Sequence, residues 1–202
     1  MTMGTLVPSN EAARLAALNR YAILDTEPEQ CFDDLVILAS HVCKTPMALL
    51  SLVDDERQWF KSAVGVQLRE TPRQISFCAQ AIQQGDNLFI VPDTLEDPRF
   101  KNNPLVTGEP HIRFYAGAPL VNEDGFALGT LCVGDRQPRQ LDEDQKAALS
   151  SLSRLALRQM ELRMNLQMLK DALNDRTREE HAREQEIKRL EEKLVRVLGL
   201  RI

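Results

Sequence analysis

HIRFYAGAPLVNEDGFALGTLCVGD, residues 111–135, holds two runs of strand-forming residues about one turn, and the fold follows from how it pairs with itself. Asn122, Glu123, Asp124 and Gly125 supply the turn, since Asn, Asp and Gly tolerate the backbone conformations a tight reversal demands. A four-residue loop would set Tyr115 opposite Cys132 and Gly117 opposite Thr130, with Phe114 facing Val133 and Ala116 facing Leu131 on the other side. Strand alternation then makes one face apolar (Phe114, Ala116, Leu131, Val133) and suited to packing helices. The other face offers Arg113, Tyr115, Thr130 and Cys132, that is charge, hydroxyls and a thiol, to something small. Pro119 cannot donate to a ladder, so a bulge or an edge is expected there.

FYAGAPL at Phe114 to Leu120, LGTLCVGD at Leu128 to Asp135 and SFCAQAI at Ser76 to Ile82 resemble the signature segments of bacterial GAF domains, in particular those that precede signalling kinases and cyclases. The resemblance runs from about Glu11 to Met160. It implies an α+β fold, with an antiparallel sheet of five or six strands, helices packed on one face, a ligand or interaction cavity on the other, and work in signal sensing. It names no ligand or cofactor.

Composition bounds the rest. With 202 residues, 43% of them hydrophobic, the chain can bury one full-sized core and carry an appendage. No apolar run approaches the ~20 residues that span a bilayer, and the opening MTMGTLVPSNEAARL has neither a basic n-region nor an apolar h-region, so a cytoplasmic protein with no membrane partner is expected. A net charge of −5 gives no electrostatic case for nucleic acid. Cys31, Cys43, Cys78 and Cys132 show no paired spacing and read as reduced thiols, neither bridged nor metal-bound. His41 and Cys43 lie two apart on a helical stretch, point to different sides and cannot share a metal.

The chain divides into an N-terminal helical arm (1–25), a sensory domain (26–151) and a C-terminal coiled-coil helix (152–202). In the arm, Asn10 is placed to cap a helix through Leu18, and Asp25 to Pro28 interrupts it. Phe32, Leu35, Val36, Leu38, Ala39 and Val42 recur at helical spacing and predict an amphipathic helix ended by Thr45-Pro46. Met47–Val53 and Gln58–Val64 form a second hairpin, in which Trp59 and Phe60 point to opposite faces and are assigned to packing. Ser76 caps a helix bearing Phe77, Cys78, Ala79 and Ile82, and Leu88 to Val91 is a short strand. Asp93 to Pro110 has three prolines and no period, which predicts a long ordered loop with a helical turn near Asp97 to Phe100, placed as a lid or a plug over the sheet.

No GxSxG, HExxH, Walker or GxGxxG pattern occurs, and no histidine has an evident nucleophile or metal partner, so no catalytic residue and no metal site are assigned. Two GAF-fold chemistries involve cysteine. A Cys78 thiolate at a helix start resembles the reactive thiols of free methionine sulfoxide reductases, although the cysteine spacing of those enzymes does not match. Bilin attachment is disfavoured because no histidine follows a cysteine. Nor is the cyclic-nucleotide GAF signature recognisable. The candidate ligand site is Phe77, Cys78, Asp93, Phe100, Arg113, Tyr115, Thr130 and Cys132.

From Leu152, steps alternating between three and four fall on Leu155, Gln159, Leu162, Leu166, Leu169, Leu173, Arg176, Glu180, Arg183, Ile187, Leu190, Leu194, Val197 and Arg201 without a slip of phase. One continuous helix, ~70 Å from Leu152 to Leu198 at ~1.5 Å per residue, is expected to pair through the apolar members of this seam. Arg176, Glu180 and Arg183 weaken its middle, and Asp175 with the Thr177-x-x-Glu180 box leaves a break near Asn174 as the alternative. The expected function is a non-enzymatic, homodimeric sensor that binds a small molecule and signals through this helix to an effector, a kinase or cyclase, in trans. The alternatives are a ligand-free dimerisation scaffold and a thiol-dependent methionine sulfoxide reductase.

Overall fold

A computed structural model describes residues 10–198, with side chains to residue 196, so residues 1–9 and 199–202 and the side chain of the seam position Val197 lie outside what is described. The element order is α1 (Glu11–Arg20), α2 (Gln30–Cys43), β1 (Met47–Val53), β2 (Arg57–Val64), β3 (Glu70–Pro72), α3 (Phe77–Ala81), β4 (Phe89–Val91), α4 (Pro104–Thr107), β5 (Phe114–Val121), β6 (Ala127–Asp135) and α5 (Glu143–Leu198). The strands form a six-stranded antiparallel sheet in the order β3-β2-β1-β6-β5-β4. β3, too short to read from the sequence, completes the sixth position by pairing Glu70, Thr71 and Pro72 with the start of β2.

The hairpin that opened the reading forms, in a different register. Tyr115 lies opposite Gly134, Ala116 opposite Val133, Gly117 opposite Cys132 and Pro119 opposite Thr130, and a register shift follows between Pro119 and Val121. The expected partners are off by two because the turn takes five residues, Val121 pairing with Ala127, and the irregularity after Pro119 adds one more. A slip of two preserves the alternation, so the division of the faces stands. On the back face, Phe114, Ala116, Leu131 and Val133 are completely buried. There α2 contributes Phe32, Val36, Ala39 and Cys43, whereas Leu38 and Val42 of its predicted apolar stripe are exposed.

One other local expectation differs. Asn10 precedes α1 but its side chain makes no capping bond. Arg14 instead fixes that helix: its guanidinium bonds both carboxylate oxygens of Glu11 and donates to Val53 O at 2.7 Å and Ala127 O at 3.4 Å, the ends of β1 and β6. Arg73 binds the same carboxylate at 2.6 Å, so one acid between two buried arginines ties α1 to the rim of the sheet. Lys61 is the extra residue of a bulge in β2, between the pairs Leu50/Ser62 and Ser51/Phe60. Its buried ammonium donates to Thr26, Glu29 and the Glu27 carbonyl, which satisfies all three N–H bonds.

α5 begins with a reciprocal cap, Gln145 N–H to Asp142 and Asp142 N–H to Gln145, and runs unbroken past Asn174. Thr177 does not cap a second helix; its hydroxyl donates to Leu173 O at 3.0 Å within the continuing one. The chain resolves into two compact units, one up to Glu161 and one from Leu162. No helix among the described residues is long and apolar enough to cross a membrane.

Candidate functional site

The front face of the sheet carries its own buried cluster. β1 contributes Leu49 and Ser51, β5 Tyr115 and β6 Thr130 and Cys132; alternation along paired strands puts all of them on one side. Over them lies α3, started by Ser76, whose hydroxyl accepts from Ala79 N–H at 2.9 Å as the sequence predicted. This cap fixes the first turn so that Phe77 and Cys78 both point at the sheet, where they are buried. Phe77 stacks on Phe100 at 4.3 Å and on Tyr115 at 5.1 Å, and Phe89 meets both partners edge-on or tilted at 6.0 Å.

The segment before β5 is ordered by its own polar groups. Asn103 caps α4 and donates to Ile75 O at 2.9 Å, while Thr94 donates to Ile112 O at 2.6 Å. The predicted turn at Asp97 to Phe100 is present as N–H bonds from Phe100 and Lys101 to Asp97 O, and the helical turn proper comes later, at Pro104–Thr107. This path delivers Phe100 into the cluster with no exposed surface. Arg99, paired with Asp97, lays its guanidinium over the rings of Phe89 and Phe100 at 4.9 and 5.4 Å.

Phe77, Cys78, Phe100, Tyr115 and Cys132 are thus brought together, with Thr130 beside Tyr115. Arg113 and Asp93 stand apart from them. The Arg113 guanidinium is partly exposed and engages both oxygens of Asp93, at 2.9 and 2.6 Å, so a charge partner is already in place. At the centre, Cys78 Sγ lies 3.7 Å from Cys132 Sγ and accepts a hydrogen bond from Tyr115 OH at 3.2 Å. Burial opposes ionisation of Cys78, but hydrogen bonding by Cys132, Ser51, Thr130 and Tyr115 brings its thiol down to about 7 from an ordinary 9. Cys132, hydrogen-bonded to that sulfur and buried, is pushed well above the usual thiol range, and burial pushes Tyr115 up likewise.

Beside the thiols is a cavity of about 50 Å³, walled by Met47, Leu49, Phe60, Leu105, Ile112 and Tyr115, with Cys78, Cys132, Gln58 and Thr71 also at its surface. The Thr71 hydroxyl is buried without a hydrogen-bond partner. Such a group costs free energy, and the cavity wall beside it is almost entirely apolar. Sequence reasoning did not single out Ser51, Thr71, Phe89 or Gly117. Ser51, alone among apolar residues in a central strand, was the visible signal. For Gly117 the reason is spatial: a Cβ there would collide with the Tyr115 hydroxyl, so glycine leaves room for the ring.

Comparison with known proteins agrees with this architecture. The chain is 44% identical over 151 residues to a cyclic di-GMP phosphodiesterase of Pseudomonas aeruginosa, a match that takes in 74% of this chain and 26% of that protein, about a quarter of its length. Among solved structures, free methionine-R-sulfoxide reductase from Neisseria meningitidis superposes with a TM-score of 0.56 at 17% identity, covering 77% of this chain and 92% of the other. The PixJ GAF domain of Thermosynechococcus elongatus in its blue-light absorbing form gives 0.54 at 17% identity, covering 81% and 94%. At that identity the likeness is one of fold. The GAF domain family model matches residues 11–159, and with the six-stranded sheet, the capped α3 and the front cavity in place, the chain belongs to the GAF domain family.

Proposed function

We propose that this GAF domain is a non-enzymatic sensory module that works as a homodimer, reads a small molecule in the front cavity and passes its state along α5 to an effector. The observation that carries the reading is the double-sided α5. Leu149, Ala156 and Met160 bury one face in the sheet-bearing unit, while Leu155, Leu162, Leu166, Leu169, Leu173, Ile187, Leu190 and Leu194 form a second stripe, each between 49% and 59% exposed. An apolar stripe this long on a water-exposed helix is stable only when covered, and a second copy offers the same stripe in the same phase. A helix rooted in the core at one end and paired along the rest transmits a shift of its first turns. The match to part of a cyclic di-GMP phosphodiesterase supports an effector of cyclic-dinucleotide signalling, more specific than the kinase or cyclase expected from sequence. The cavity itself, at about 50 Å³, suits a ligand of a few heavy atoms and not a nucleotide or a tetrapyrrole.

A ligand-free scaffold is the second reading, favoured by the Arg113–Asp93 pair and by Phe100 plugging the front of the sheet. Sedimentation equilibrium of the full chain and of a truncation after Met164 tests the dimer: the full chain should be dimeric and the truncation a folded monomer. A truncation that dimerises as strongly would place the contact in the sheet-bearing unit and refute transmission through a paired α5. Native mass spectrometry of protein from its own host separates sensor from scaffold, through a retained small-molecule mass.

A further inference from the structure

Cys78 and Cys132 are far apart in the chain, yet their sulfurs lie 3.7 Å apart, outside any role derived above. Three features distinguish the pair from two cysteines that merely fill space. Tyr115 OH donates to one sulfur, which a packed thiol does not require. Both cysteines line the front cavity, so a small molecule there lies beside the pair. Thr71 stands at the same wall, and its buried hydroxyl has no hydrogen-bond partner.

We propose that Cys78 and Cys132 form an oxidative modification site, at which a small hydroperoxide admitted to the front cavity converts the pair to an intramolecular disulfide. The Cys78 thiolate attacks one peroxide oxygen and the O–O bond breaks. The other oxygen leaves with the bonding pair and takes up the proton Cys78 gave up, as water or an alcohol, and Cys78 becomes a sulfenic acid. Cys132 sulfur then attacks the Cys78 sulfur, the S–OH bond breaks, and hydroxide departs with the Cys132 proton as water. Two thiols lose two electrons and two protons, and one hydroperoxide takes up both. Tyr115 acts as a positioning residue, since its hydroxyl favours the anionic Cys78 sulfur and holds it facing Cys132. The guest meets an almost wholly apolar wall, with the unpartnered Thr71 hydroxyl buried beside it. Closure to a bond of about 2.05 Å draws α3 toward β6, and Phe77, next in the chain to Cys78, carries that movement into the stack with Phe100 and Tyr115.

The proposal rests on the sensory reading only in taking this cavity as the input, and its chemistry is tested independently of how α5 pairs. The reduced full chain is exposed to stoichiometric hydrogen peroxide, denatured with an alkylating agent and analysed by peptide mass spectrometry. Free thiols should fall from four to two per chain, with a Cys78–Cys132 linked peptide. The Cys43→Ser variant should behave like the parent, because burial has pushed that thiol up to about 11 and it lies on the back face. Cys132→Ala should leave a sulfenic acid on Cys78 that a dimedone-type reagent captures, and Tyr115→Phe should move the pH of half-maximal oxidation rate upward. Retention of four thiols, bridging through Cys31 or between chains, or no capture at Cys78 in a folded Cys132→Ala protein would overturn it.

Discussion

Glu11 shows how much one side chain holds. Burial opposes its charge, yet hydrogen bonds from Arg14 and Arg73 keep its carboxyl at about 2 against an ordinary 4.5. Because the folded pKa is the lower one, its stabilisation is complete above pH 4.5 and is lost as pH falls through 2. Urea unfolding should show stability declining across that window, and Glu11→Gln should flatten the decline. Glu11→Ala should cost about 3 kcal/mol at neutral pH, since it leaves two buried guanidiniums without the carboxylate they share. Gly117→Ala presses a methyl group against the Tyr115 hydroxyl, so it should cost about 1–3 kcal/mol and perturb the near-ultraviolet dichroism of the aromatic cluster.

Among the elements, the long crossing from β4 to β5 depends on Asn103. Its side chain makes two bonds at once, to Leu105 N–H and Ile75 O, both 2.9 Å. Asn103→Ala should therefore cost about 1–2 kcal/mol, and hydrogen exchange should quicken in residues 94–112 before it does in β5 or β6. In α5 the charged middle of the seam has its own partners, since Arg176 reaches Glu180 at 3.3 Å along the same helix. Such exposed pairs contribute little. Replacing Arg176, Glu180 and Arg183 with Leu, Ile and Leu should raise the melting temperature of the helical unit markedly, read as helicity at 222 nm.

The two units of the whole molecule should melt separately. The sheet-bearing unit has its own core, and Trp59, the sole tryptophan, is buried in it and reports on it by fluorescence. The helix beyond Leu162 buries little within one chain, and isolated helices of this kind are marginal in water. Dilution should lower ellipticity at 222 nm and leave Trp59 emission unchanged. Parallel loss of both signals would show that the sheet-bearing unit leans on the paired helix.

Much of the short-range chemistry was legible in the sequence. The hairpin at residues 111–135, the strands at 47–53 and 57–64, the Ser76 cap and the unbroken phase of α5 all follow from alternation, helical period and turn residues, which act within a few positions of one another. The faces of the central hairpin could be read for the same reason, while its register could not, because the irregularity at Pro119 depends on what the neighbouring strands require. β3 was invisible, being three residues stabilised only by β2. Arg113 and Asp93 could be named but not assigned to each other, since a guanidinium takes whichever carboxylate the loop delivers. The cysteines mark the limit most sharply: their spacing argued against any pairing, and the crossing of α3 over β6 brought Cys78 and Cys132 sulfur to sulfur. Proximity between positions this distant is made by packing, to which local propensity contributes nothing.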